Sequence, residues 1–142
     1  MSDDRVYAAV KGLFAERWTA TPPDLISWEN KHFDLPQSDD PYIAVEVTGN
    51  YYGQESIGAE TQGANRWDAE GQLWVHVFVR TGTGSEEARR LAKIAADLFR
   101  GTQLLDGDLT FGDAAIGMGA PGDNDGLYWQ LSVSVEWGMV EA

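Results

Sequence analysis

The stretch "GQLWVHVFVRTGTGSEEARRLAKIAADLFRG", Gly71–Gly101, changes its apolar period from two to about 3.6 across a Gly/Thr turn. Before the turn, Leu73, Val75, Val77 and Val79 alternate with Trp74, His76, Phe78 and Arg80, which predicts a strand. After it, Ala88, Leu91, Ala92, Ala95, Leu98 and Phe99 share one helical face, and Gly101 ends the helix. The turn resembles a phosphate-binding loop, but its neighbours argue otherwise. Ser85 stands at the N-cap position with Glu86 and Glu87 in the first turn, where carboxylates complement the helix dipole and repel an incoming phosphate. A Walker loop needs four residues between its glycines and then Lys-Ser or Lys-Thr. Here Gly82 and Gly84 enclose Thr83 alone, and the next lysine is Lys93. A dinucleotide fingerprint would need glycine where Glu87 stands. A capped strand-to-helix turn is predicted.

Working outward, two more segments alternate as strongly. In "PYIAVEVTGNYY", Ile43, Val45 and Val47 alternate with Ala44, Glu46 and Thr48. In "LYWQLSVSVEWGMV", Trp129, Leu131, Val133, Val135 and Trp137 alternate with Gln130, Ser132, Ser134 and Glu136. A weaker strand is read in "LTFGDAAIGM" and a short one around Leu25–Glu29, inside an irregular segment broken by Pro22, Pro23, Pro36 and Pro41. Val6, Val10, Leu13 and Phe14 recur at helical spacing from Asp3 to about Trp18, with Ser2, Asp3 and Asp4 as cap and acidic first turn. The order helix, three strands, helix, two strands predicts an α+β fold. Its sheet is largely antiparallel or mixed, with four to five strands and both helices on one face. At 142 residues a single domain is expected over the whole chain, 1–142.

Composition narrows the function classes. A net charge of −13, from 23 acidic against 10 basic residues, disfavours gripping a nucleic acid backbone. No apolar run reaches the roughly 18 to 20 residues of a membrane span. The acidic start "MSDDRVYAAV" does not read as a signal peptide, so synthesis in the cytoplasm is expected. The chain has no cysteine, which removes disulfides and thiolate metal ligands.

Candidate chemistry is sparse. The histidines are His32, in the irregular segment, and His76, mid-strand, where a hydrogen-bonded structural role is expected. No HExxH spacing occurs, and a zinc site would need both histidines to converge. "DNDG", Asp123–Gly126, is close to a calcium loop, but Pro121 and Ser132 stand where ligands are required, so a turn is read instead. No GxSxG is present, and the serines lack a neighbouring histidine in any recognisable pattern. Neither a catalytic site nor a cofactor or metal site is predicted.

The aromatic residues point elsewhere. Trp18, Trp28, Trp129 and Trp137 suit the core, whereas Trp74 and Phe78 fall on the sheet face away from the helices, with Tyr42 and Ala44 beside them. An uncovered apolar patch on a small sheet marks a partner surface. Cover by the proline-rich segment is the alternative. The connection Gly53–Asn65 is too long for a tight hairpin and, with Ile57 its one large apolar residue, is expected to be mobile in a lone subunit. Tyr51, Tyr52 and Trp67 bracket it and are hard to bury in one small domain, so contacts between chains are expected there.

The succession "ISWEN", "FDLP", "PYIAVEV", "NRWDAEGQLWVHVFVRTGTGSEEARRLAKIAADLFRG", "LTFGDAAIG" and "YWQLSVSVEW" resembles tail-terminator-like proteins of long-tailed bacteriophages and gene transfer agents, themselves distantly similar to the lambda tail terminator. The similarity spans roughly residues 20 to 138, and the N-terminal helix matches by pattern alone. The resemblance implies a virion structural protein that catalyses nothing. It would form a homo-oligomeric, hexameric ring at the head-proximal end of the tail, halting growth of the tube and presenting the surface that the head joins. Its partners would be the tail-tube protein and the head–tail connector. DNA would pass through the channel without specific binding, past a ring carrying six charges of −13. The residues expected to meet a neighbour or the tube are Tyr51, Tyr52, Gln54, Ile57, Arg66, Trp67, Trp74 and Phe78. Two alternatives stand beside this reading: a head–tail joining or tail-completion protein, and, from another class, a small-ligand-binding domain or enzyme using a cleft beneath the long connection.

Overall fold

The computed structural model describes residues 2–36, 40–54, 67–117, 119–121 and 127–141. The strand-turn-helix unit forms as its pattern requires. Strand β3, Trp67–Arg80, buries Leu73, Val75, Val77 and Val79, and helix α2, Glu86–Phe99, buries Ala88, Leu91, Ala92, Ala95, Ala96 and Phe99. Between them Gly82 (φ 90°) and Gly84 (φ 86°) take left-handed conformations that side chains resist, which accounts for the Gly-Thr-Gly sequence. Ser85 does occupy the N-cap position but makes no side-chain cap bond; its Oγ instead accepts from Arg89 Nε at 3.1 Å. The cap expected of its hydroxyl is therefore corrected. The backbone of Ser85, at φ −102° and ψ 0°, is already close to helical rather than extended, as a capping residue would be. The outer face of α2 carries the pairs Glu87–Arg90 at 2.6 Å and Lys93–Asp97 at 2.8 Å, at helical neighbour spacing.

The remaining elements are α1 (Ser2–Arg17), β1 (Ile26–Trp28), β2 (Tyr42–Gln54), β4 (Gln103–Leu104), β5 (Leu109–Ile116), β6 (Ala120–Pro121) and β7 (Tyr128–Glu141). Strand order is β1-β2-β3-β7-β5-β4, with β6 also pairing to β7. Only β1 and β2 run parallel; the other pairs are antiparallel, so the sheet is mixed and the fold α+β, as expected. The path holds six strands where four to five were expected, because the two-residue β4 is too short to leave a periodic signal. Strand β7 enters between β3 and β5 and pairs with β3 along its full length, from Trp67↔Glu141 to Arg80↔Tyr128.

Both helices lie on one face and belong to a single core with the odd-numbered residues of β2, β3 and β7. Phe14 of α1 meets Phe99 of α2 with ring centroids 5.2 Å apart, and Phe99 meets Phe111 of β5 at 5.2 Å. Each such fully buried side chain stabilises by about 1.5–3 kcal/mol relative to exposure. Of the tryptophans assigned to the core, Trp18 and Trp137 are buried, and Trp28 and Trp129 pack against it partly exposed. Trp18 Nε1 donates to Thr21 Oγ1 at 2.8 Å, so the polar end of a buried indole is satisfied where α1 gives way to the proline-rich segment.

Candidate functional site

The sheet face away from the helices is laid out by register. Across β2, β3 and β7 its rows read Tyr42–Phe78–Gln130, Ala44–His76–Ser132, Glu46–Trp74–Ser134 and Thr48–Gln72–Glu136. The expected aromatic patch is present but divided. Tyr42 and Phe78 stack at 4.6 Å with planes 9° apart; Phe33 from the proline-rich segment lies 5.0 Å from Tyr42, and Tyr128 stands edge-on at 5.0 Å. Tyr42 is 5% exposed, so that end of the patch is covered from within the chain. Trp74 and Phe78 remain half-buried.

At the centre stands a polar chain. His76 Nε2 lies 2.6 Å from Glu46 Oε1, His76 Nδ1 lies 2.7 Å from Ser132 Oγ, and Gln130 Nε2 donates to Ser132 Oγ at 3.1 Å. One proton assignment satisfies every member. Gln130 donates to Ser132, the Ser132 hydroxyl donates to Nδ1, and Nε2–H donates to the Glu46 carboxylate. The Trp74 indole stacks beside the imidazole at 6.1 Å, planes 7° apart. His76 thus has the hydrogen-bonded structural role expected of it, and it ties β2, β3 and β7 together.

The serine–histidine contact was not legible in the chain order. Ser132 and His76 are 56 residues apart and meet only through the β3–β7 register. The signal that could have found them is the pairing of the two longest alternating strands. A nucleophilic serine also needs donors to hold an oxyanion. Here Ser132 sits mid-strand in β7, between β3 and β5, where sheet pairing occupies the backbone, and its own carbonyl accepts from Gly117 N at 2.9 Å. The arrangement holds strands; it does not present a nucleophile.

The other candidate residues belong to the far end of the β2–β3 hairpin. Tyr51 pairs with Glu70, Tyr52 with Ala69 and Gln54 with Trp67, after a bulge between Gly49 and Tyr51. Gly53 and Gln54, expected in the connection, are strand, while Ile57, Arg66 and the rest of the connection lie outside the described residues, as does the Asp123–Gly126 turn. The structure therefore brings Tyr51, Tyr52, Gln54 and Trp67 together on one arm and places Trp74 and Phe78 nearer the other end of β3. His32 bonds Asp34 at 2.8 Å in the open, apart from the His76 chain. Among the described residues no cluster of three or more His, Cys, Asp or Glu could hold a metal ion, and no helix is long and apolar enough to cross a membrane.

With this geometry in place, comparison with known proteins gives a consistent result. A family model described as phage tail terminator protein matches residues 5–137. No curated protein sequence matches the chain. A solved structure with 21% sequence identity aligns over 92% of both chains with a TM-score of 0.61, which supports the fold alone. The match to the family takes in the N-terminal helix, beyond the span of the resemblance read from the sequence. The chain belongs to the phage tail terminator family, and its role is structural, in the phage tail.

Proposed function

We propose that this protein, as a tail terminator, assembles into a ring on the head-proximal end of the tail tube, stops its polymerisation and offers the surface to which the head's connector joins. The observation that carries the reading is the family match along residues 5–137. Three features support the finer steps. The β2–β3 register places Tyr51, Tyr52 and Trp67 at one end of the sheet, and aromatic residues there suit contact with a ring neighbour or the tube. The charge of −13 per chain favours a channel that DNA crosses without adhering. The polar chain through His76 is already satisfied internally, in keeping with a sheet that serves as scaffold and catalyses no reaction.

Electron microscopy of tails assembled with and without the protein tests this reading. Without it, tubes should overrun their normal length and remain unjoined to heads; adding it back should restore both. Tails of normal length in its absence refute a terminating role. Co-sedimentation with DNA-filled heads but not with purified tubes would move the protein to the head side of the joint.

A further inference from the structure

The sheet face away from the helices is divided by charge. From the Glu46 row to the row in which Tyr51, Glu70, Gly138 and Thr110 pair, its ionised side chains are Glu46, Glu70 and Glu136, all exposed, and no lysine or arginine stands in those rows. The cations on this side keep to the other end: the Arg80 guanidinium lies 5.0 Å from the Tyr128 ring centroid, and Lys31 stands with Phe33 beside Tyr42 and Phe78. Neither Glu70 nor Glu136 has an ion-pair partner among the described residues. Between these carboxylates lies a shallow depression of about 380 Å³, whose lining includes Gln72, Thr110, Gly112 and Gly138. Gly112 and Gly138 put no side chain into it, although an added Cβ would stand in ordinary contact, 3.5 Å and 3.9 Å from its nearest neighbours. This half of the face is therefore low, hydrated and negative.

The helix side is built the other way. Helix α1 carries Arg5, Lys11 and Arg17, and α2 carries Arg89, Arg90 and Lys93, with Arg100 following. Arg89, Arg90, Lys93 and Arg100 are all exposed, interleaved with Glu86, Glu87 and Asp97. Turned towards passing DNA, such cations would neutralise phosphates, which is how a protein grips a nucleic acid backbone. The acidic rows would do the reverse. Carboxylates on a low-dielectric wall repel phosphates over about a Debye length, roughly 8 Å at physiological salt.

We propose that the half of the sheet face bearing Glu46, Glu70 and Glu136 lines the channel of the ring, and that the two helices face outward. No protein partner covers this half: it meets solvent and the DNA that passes. The inference rests on the ring assembly proposed above and fixes which way each copy faces within it.

Site-directed labelling tests it, because the chain has no cysteine and a single introduced thiol is unique. Glu136→Cys marks the acidic half of the sheet and Arg89→Cys the outer face of α2; both replace exposed side chains, and thermal melts like wild type establish that they fold. Glu70→Cys, in the same depression, takes the place of Glu136→Cys if that variant melts early. Assembled rings, isolated or capping tail tubes, are reacted with a maleimide-gold cluster and viewed end-on by electron microscopy. Gold should lie at the ring centre for Glu136→Cys and on the rim for Arg89→Cys. Gold on the rim for Glu136→Cys overturns the orientation and leaves the ring reading standing. So does a Glu136→Cys thiol that reacts in the lone subunit but not in the ring, since a neighbour then covers that face. A wild-type protein that forms no ring, alone or on tubes, overturns the ring and this orientation together.

Discussion

Replacing Gly71 with alanine adds one methyl group where the sheet has no room for it. A Cβ built there would lie 1.9 Å from the Thr48 carbonyl oxygen and 2.5 Å from Trp137 Cζ2. Ordinary contact needs more than 3 Å, so the Thr48 carbonyl would have to retreat by about 1 Å or more, against the pairing of Thr48 with Gln72 and Gly49 with Gly71. The indole would have to leave a site in which Trp137 is 3% exposed. Overpacking alone costs about 1–3 kcal/mol, and full loss of a buried tryptophan about 3–5. A destabilisation of about 3 kcal/mol is therefore expected. At about 2.1 cal/mol/K per residue, unfolding this chain carries an entropy of about 300 cal/mol/K, so the melting temperature should fall by about 10 °C. Circular dichroism and tryptophan fluorescence melts measure it. Gly12→Ala is the control: Gly12 lies in α1 with nothing within 4 Å of an added Cβ, so there alanine should stabilise by about 0.5–1 kcal/mol. A Gly71→Ala protein melting within about 2 °C of wild type would refute the argument that the indole closes over this glycine.

Other consequences can be checked separately. Ser132→Ala removes the hydroxyl between Gln130 and His76 and should cost about 1 kcal/mol in denaturant titrations, with a shift of the His76 ring nitrogen resonances as Nδ1 exchanges the hydroxyl for Gln130 Nε2, which lies 3.1 Å from it. Ser85→Ala should cost less than about 0.5 kcal/mol, since its hydroxyl caps nothing, whereas Gly84→Ala, at φ 86°, should cost about 1 kcal/mol or more. The Arg90 guanidinium beside Glu87 holds that carboxyl below its ordinary 4.5, so the pair's stabilisation is complete above pH 4.5 and is lost as pH falls through the folded value. Arg90→Ala should raise the Glu87 titration midpoint in carboxyl NMR, and its stability deficit should shrink on acidification; an unmoved midpoint would show that the pair does not form in solution.

The parts of the fold that could be read from the chain are those with a local physical cause. Alternation over seven or more residues fixes which side of β3 and β7 faces a core, whatever the strands pair with, and the 3.6 period of α2 does the same for a helix. The insertion of β7 between β3 and β5 has no local cause. It follows from which edges remain free after β2 and β3 have paired, a property of the assembled sheet. The same distinction decides what was visible at the candidate sites. His76 read as structural because a mid-strand histidine needs partners, yet the identity of those partners, Glu46 and Ser132, depends on two registers at once. The Ser85 hydroxyl failed as a cap for a related reason. Arg89, one turn along, competes for the oxygen that the helix N–H groups would otherwise use, and pattern reading weighs the cap without the competitor. Lys11 and Trp28 are far apart in the chain and carry no motif; only the packing of α1 on β1 brings the Lys11 ammonium within 5.5 Å of the indole centroid. Surfaces of this kind resist reading from sequence because they are made of residues whose neighbours in space, not in the chain, give them meaning.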